Sequence, residues 1–309
     1  MPRLSTQTPT APFRLHEVTL VRRRRISPSF VRFTFAGPEL DQFADRGLDQ
    51  RIKLIFPLEG VGLAPVPMGD DWYAQWRELP DELRNPIRTY TIRAVRQEQR
   101  EIDVDIVLHG VTGPASRWAT SAEPGDSIVV LGPNAAYDGF HGGVDFLPPR
   151  RSGRVLLAGD ETALPAIANI LEALPADARG CALVEVPHPD DAVALPTHPG
   201  FEVIVLARDG GQHGDALSPL VRDKVDGLLE ALDSEVDLDD VDVDAGLLWE
   251  VPSDDAGHAA LDDAPLYAWL AGEASVIKLL RRHLVAERGM DRKAVAFMGY
   301  WRLGRSEQN

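Results

Sequence analysis

Residues 148–154, Pro-Pro-Arg-Arg-Ser-Gly-Arg, separate two kinds of hydrophobic pattern, and this change constrains the fold more than any other feature of the chain. Before it, the segments RLHEVTLVRRRRIS, FVRFTFAG, RIKLIFP, IRTYTIRAV, EIDVDIVLHG and DSIVVLG alternate or are β-branched, each bounded by Gly, Pro, Asp or Asn. A period of two puts successive side chains on opposite faces and reads as strands. Six such strands with one short helix, at PASRWATSA, predict an antiparallel Greek-key β-barrel over 13–147. After residues 148–154, strands and helices alternate: RVLLAG, ALPAIANILEAL, CALVEVP, FEVIVLA, LYAWLAG, SVIKLLRRHLVAERG and AVAFMGYW. That alternation predicts a Rossmann-like parallel α/β sheet over 155–309, with 148–154 as the linker. A chain of 309 residues is long enough for two cores.

Charge narrows the partners. The formal net charge of −16 argues against nucleic acid or anionic membrane held by the overall field. The acidity is concentrated at 223–263, where fifteen Asp or Glu face the single Lys224. Within it, VDLDDVDVDAG reads as a solvated, partly disordered insertion. It is a poor calcium loop, with no glycine at the sharp turn and no closing glutamate. The single cysteine, Cys181, excludes internal disulfides and Cys-based zinc or iron–sulfur sites. The eight histidines are scattered without an i, i+4 pair, so no protein-held metal is expected. The N-terminus lacks an apolar signal core and no apolar run reaches about 18 residues, so a soluble cytoplasmic protein is expected.

Three stretches could carry chemistry. In NPIRTYTIRAV, Arg88 and Tyr90 share one strand face and Thr89 and Thr91 the other. This is either a half-exposed barrel strand or a binding strand. In LHGVTGPASRWA, a strand ends near His109, and a loop containing Gly113 leads through Pro114 into a helix. The free N–H groups of such a helix start suit a phosphate, or merely a cap. In LLAGDETALPAI, a buried strand turns into a helix where open α/β sheets bind ligands. Asp160 and Glu161 would repel a pyrophosphate there, so the turn suits a nicotinamide or flavin edge, and Thr162 could cap the helix. Arg208 is a candidate for an adenosine 2′-phosphate, or a solvated arginine.

Together these stretches resemble the siderophore-interacting proteins, flavin-dependent ferric-siderophore reductases built like ferredoxin–NADP⁺ reductases. The resemblance rests on FVRFTFAGPEL, IRTYTIRAV, DIVLHGVTGPASRWA, PGDSIVVLGP, LLAGDETALPAI, WLAGE and AVAFMGYWRLG, in that order. The acidic segment is not part of it. The resemblance implies that Tyr90 packs on the isoalloxazine of FAD, Arg88 reaches the pyrophosphate, and Thr91 sits near flavin N5. It implies His109 near the flavin, Gly113, Ala115 and Ser116 around phosphate, and Trp118 nearby. Asp160, Thr162 and Ala163 would flank the nicotinamide. Glu273 would border the flavin, and Tyr300 and Trp301 would cover the flavin or the nicotinamide pocket. Lys53 and Arg302 would supply local positive charge for an anionic siderophore.

The implied activity is electron transfer from NADPH, with NADH possible, through FAD to a ferric siderophore, freeing Fe²⁺ in the cytoplasm. A monomer is implied. Two alternatives stay open: a flavin reductase that uses or serves ferredoxin, and a non-enzymatic siderophore-binding protein.

Overall fold

The computed structural model describes residues 10–108, 113–230, 249–254 and 256–304. The first half forms strands β1 (Phe13–Arg25), β2 (Phe30–Ala36), β3 (Arg51–Ile55), β4 (Ile87–Thr91), β5 (Ala94–Arg96), β6 (Glu101–Val107) and β7 (Ser127–Pro133). They pair antiparallel in the order β4-β3-β7-β1-β2-β6-β5. Helix α1 (Trp72–Glu78) lies between β3 and β4, and helix α2 (Pro114–Ser121) between β6 and β7.

The sheet curls into a half-barrel whose ladder stays open between β4 and β5. IRTYTIRAV, read as one strand, is therefore two. The chain changes partners within one step: Ile92 N–H donates to Gln50 at 3.0 Å, and Arg93 N–H to Asp103 at 2.9 Å. Inward side chains include Val18, Leu20, Phe33, Phe35, Ile52, Leu54, Ile102, Val104, Ile128 and Val130, all buried. Burying one such side chain contributes about 1.5–3 kcal/mol.

The second half forms β8 (Arg151–Gly159), α3 (Leu164–Ala173), β9 (Gly180–Val186), β10 (Phe201–Ala207), α4 (Leu217–Glu230), β11 (Trp249–Glu250), β12 (Asp263–Glu273), α5 (Ala274–Arg282) and β13 (Val295–Trp301). Its sheet order is β10-β9-β8-β12-β13-β11. All neighbours are parallel except β11, which runs antiparallel to β13. The sheet is therefore parallel, as the sequence predicts, with one short antiparallel strand at its edge. The expected linker is shorter, because Arg151 already pairs with Asp263 in the β8–β12 ladder.

The ends of the acidic segment, on either side of VDLDDVDVDAG, pack against the fold. Residues 223–230 continue α4, where Asp226 accepts a 2.7 Å ion pair from Arg288. Glu250 in β11 pairs with Arg281 at 3.1 Å and Arg292 at 2.6 Å. Residues 231–248 lie outside the described residues.

Helix α3 joins the two halves. Its residues 164–171 are buried all round, which explains why ALPAIANILEAL has no polar face. One side packs on the α/β sheet. The other meets the half-barrel, where Asn169 Nδ2 donates to the carbonyls of Leu48 and Ile92, both at 2.8 Å. Phe30 and Phe146 join the same apolar cluster as Ile167, Tyr267 and Trp269.

Candidate functional site

Strand β4 is an edge strand, bonded in the sheet only to β3. An edge leaves alternate backbone N–H and C=O groups outside the ladder. Its register with β3 pairs Leu54 with Arg88, Ile52 with Tyr90, Lys53 with Thr89 and Arg51 with Thr91. Tyr90 and Arg88 thus share the face of Ile52 and Leu54, and Tyr90 packs half-buried against the barrel core. Arg88 Nη1 donates to the Ile87 carbonyl at 2.6 Å. Thr91 is buried on the opposite face. Lys53 on that face is exposed, its Nζ 3.3 Å from Thr89 Oγ1.

Helix α2 closes the half-barrel rather than standing outside it. Trp118 lies among Phe33, Phe35 and Phe56, with ring centroids 5.7, 6.0 and 5.5 Å away. Its large apolar ring thus packs half-buried against the core. Ala115 is buried in the same core. Ser116 Oγ accepts from Gly113 N–H and donates to its carbonyl, both at 3.0 Å. Arg117 N–H to Gly113 C=O at 3.0 Å closes the first turn, and the N–H groups of Ala115 and Ser116 precede it. His109 lies outside the described residues.

Across the domain boundary, the β8–α3 turn is held by Asp160. Asp160 Oδ1 accepts from the N–H of Thr162 at 2.9 Å and from its hydroxyl. Oδ2 accepts from Glu273 N–H at 2.7 Å and from Trp301 Nε1 at 2.8 Å. Burial, then the adjacent Glu161 charge, raise the Asp160 pKa to about 6. Gly272 permits this approach: a Cβ there would lie 2.7 Å from Asp160 Oδ2, and its φ of +150° disfavours other residues. Thr162 is not the helix cap that its position suggests. Helix α3 starts at Leu164, Ala163 is the cap residue and is buried, and the Thr162 hydroxyl serves Asp160.

Glu273 is itself a cap. Its Oε2 accepts from the N–H groups of Ser275 at 2.8 Å and Val276 at 3.1 Å, and Oε1 accepts from Leu303 N–H at 3.1 Å. Burial pushes its pKa up, but these bonds outweigh burial and hold the carboxyl below its usual range. Tyr300 stacks on Trp249 at 5.6 Å and meets Trp269 edge-on at 6.4 Å. Trp301 faces His213 edge-on at 4.6 Å. Arg302 is exposed.

Arg208 departs most from expectation. Its guanidinium grips Glu161 with two bonds, 2.8 and 2.9 Å, and reaches Glu185 at 3.2 Å. Its side chain is only 9% exposed. Two carboxylates already neutralise it, so it is neither a solvated arginine nor a cation left for a phosphate.

A second set of residues is not visible from sequence. Arg51, opposite Thr91, pairs with Asp145 at 2.9 Å and lies 4.4 Å from the Trp249 ring centroid. Asp49, Glu185 and His213 are equally central. None stands in a recognisable motif, because their partners come from distant parts of the chain.

Residues 19–137 match the family model described as the siderophore-interacting FAD-binding domain, and residues 152–304 match the one described as siderophore-interacting protein. The chain belongs to the siderophore-interacting protein family. It is 29% identical over 289 residues to the NADPH-dependent ferric-chelate reductase of Escherichia coli, covering 93% of each chain. It is 27% identical over 290 residues to the ferric vibriobactin reductase ViuB of Vibrio cholerae, covering 93% of this chain and 89% of that one. Among solved structures, a siderophore utilization protein from T. fusca is 29% identical, with a TM-score of 0.68 and 96% of each chain covered.

The half-barrel is thus the part of the chain that matches the family's FAD-binding domain. The residues present fit a flavin. An edge strand offers backbone groups, Tyr90 offers a half-buried ring, Arg88 a guanidinium, and α2 a helix start.

Proposed function

We propose that this chain transfers electrons from a reduced nicotinamide nucleotide through FAD to a ferric siderophore, releasing Fe²⁺ in the cytoplasm. The carrying observation is a continuous link between the two halves. Asn169 of α3 donates to the carbonyl of Ile92, the residue after Thr91, at 2.8 Å, and Asp160 in the turn that leads into α3 is bonded to Trp301 at 2.8 Å. A nicotinamide at that turn would be carried by the same packed unit as a flavin held by β4. When bound, FAD supplies the chemistry, accepting a hydride and passing electrons on singly.

The side chains position and select. Tyr90 fixes the ring plane by stacking, and Arg88 meets the phosphates through charge-assisted bonds. Thr91 presents its backbone at the strand edge. The N–H groups of Ala115 and Ser116 support phosphate. Trp301 and Thr162 hold the Asp160 carboxylate in one orientation, so that the floor beneath the nicotinamide is fixed. Lys53 and Arg302 are exposed, and each offers an acidic protein a local cation for an anionic ferric siderophore.

Iron release follows from ligand hardness, since oxygen donors favour Fe³⁺ over Fe²⁺. Both relatives named above carry ferric reductase names, and one name specifies NADPH. The test is anaerobic: a visible spectrum, addition of NADH or NADPH, then a ferric siderophore with a ferrous trap. Bleaching of a flavin band followed by trapped Fe²⁺ supports the reading. A flavin that neither nucleotide bleaches removes the nucleotide as donor.

A further inference from the structure

The carboxyl edge of the α/β sheet is where a dinucleotide would lie, and the protein's own carboxylates already fill its helix starts. Glu273 caps α5. Asp160 takes the Thr162 N–H ahead of α3. Glu185, fully buried at the end of β9, accepts from the N–H groups of Gly214 at 2.9 Å, Ala216 at 3.2 Å and Leu217 at 3.0 Å at the start of α4. These are the groups that would otherwise favour a phosphate.

In a sheet of this order, the end of the second strand reads the adenosine ribose. An acidic side chain there accepts from a 2′-hydroxyl, and a free arginine there accommodates a 2′-phosphate. The second strand here is β9, and it ends at Glu185 and Val186. The nearby arginine, Arg208, is closed by Glu161 and Glu185. Beyond β9 the exposed rim carries His188 and Asp190, and beyond β10 it carries Asp209. A 2′-phosphate brings a charge of about −2 into this acidic edge. The guanidinium that could compensate it, that of Arg208, is already spent on the two glutamates.

We propose that this edge selects against the 2′-phosphate, so that the nucleotide donor is NADH rather than NADPH. The inference rests on the reading above that a reduced nicotinamide nucleotide feeds the flavin. Glu185 and Asp190 are its specificity-determining residues: Glu185 occupies the α4 start and Arg208, and Asp190 repels from the rim.

NAD⁺ and NADP⁺ differ only in that phosphate, so calorimetric titration of each into the flavin-loaded protein isolates its effect. NAD⁺ is expected to bind about tenfold tighter than NADP⁺ at low salt, with the gap narrowing as salt screens the rim. Equal affinity, tighter NADP⁺, or no binding of either overturns the proposal. Asp190→Arg, at a side chain 77% exposed, is expected to move the ratio toward NADP⁺ by about tenfold at low salt. An unchanged ratio also overturns it. Anaerobic reduction separates the two levels: if neither NADH nor NADPH bleaches the flavin, the donor reading fails. If NADPH alone bleaches it, the donor reading stands and this selection falls.

Discussion

Trp269 Nε1 donates a 3.1 Å hydrogen bond to Asp49 Oδ2 across 220 residues of sequence, joining β12 of the α/β sheet to the turn just ahead of β3. The same carboxylate accepts from the backbone N–H groups of Asp145 and Phe146, just before the second domain. Asp49 is fully buried, and it fixes the angle at which the two halves meet.

Burial, then the nearby Asp145 charge, raise the Asp49 pKa to about 7, although its hydrogen bonds act the other way. An unfolded aspartate titrates near about 3.9. The folded state therefore binds more protons between these values. Stability from this group is fully present below about 4 and is lost as the pH rises through about 7. A tenfold change in proton affinity corresponds to about 1.4 kcal/mol, so the effect is on the order of a few kcal/mol. Chemical melts at pH 5.5 and 8 are expected to show the loss at pH 8. Asp49→Asn is expected to flatten that slope while lowering stability, since its amide must face a donor such as Trp269. A wild-type slope retained in the variant would assign the titration elsewhere.

His16 works in the opposite direction. It is buried inside the half-barrel with both ring nitrogens unpartnered, 5.3 Å from the Phe43 ring. Burial, then Arg14, lower its pKa to about 4. Its contribution is intact above about 6.5 and is lost as the pH falls toward 4. His16→Leu is expected to match or exceed wild-type stability at pH 7 by about 1 kcal/mol and to resist acid better. Urea melts at pH 7 and 5 measure both.

Tyr90→Ala and Arg88→Ala are expected to weaken flavin binding by roughly 10- to 100-fold each, the usual worth of a stacked ring or a charge-assisted bond. Flavin fluorescence on titrating the apoprotein reads this directly. Circular dichroism should stay unchanged, because both residues are half-exposed at a sheet edge. Trp118→Ala provides the contrast. Its ring packs half-buried against Phe33, Phe35 and Phe56, so a loss of about 2–3 kcal/mol in folding stability is expected.

Lys53→Ala is expected to raise KM for an anionic ferric siderophore by about three- to tenfold at low salt, within the range of an exposed ion pair. The visible flavin spectrum should not change. Steady-state assays at two ionic strengths test it, and an unchanged KM takes Lys53 out of the site.

Local pattern determined much of this protein. Alternating strands, one Pro-initiated helix and a β/α alternation after residue 154 define the half-barrel and the α/β sheet, because residue period is dictated by backbone geometry. The order of motifs around Arg88, Tyr90 and the β8–α3 turn carried the family. Tertiary structure alone decided what each polar group does. Arg208 resembles a phosphate ligand in sequence, yet it is buried between Glu161 and Glu185 from two other strand ends. Thr162 resembles a helix cap, yet it serves Asp160. A charge or donor is defined by the partner it meets in space. Here those partners are supplied by crossovers that bring strand ends together from positions far apart in the chain, which no local spacing encodes.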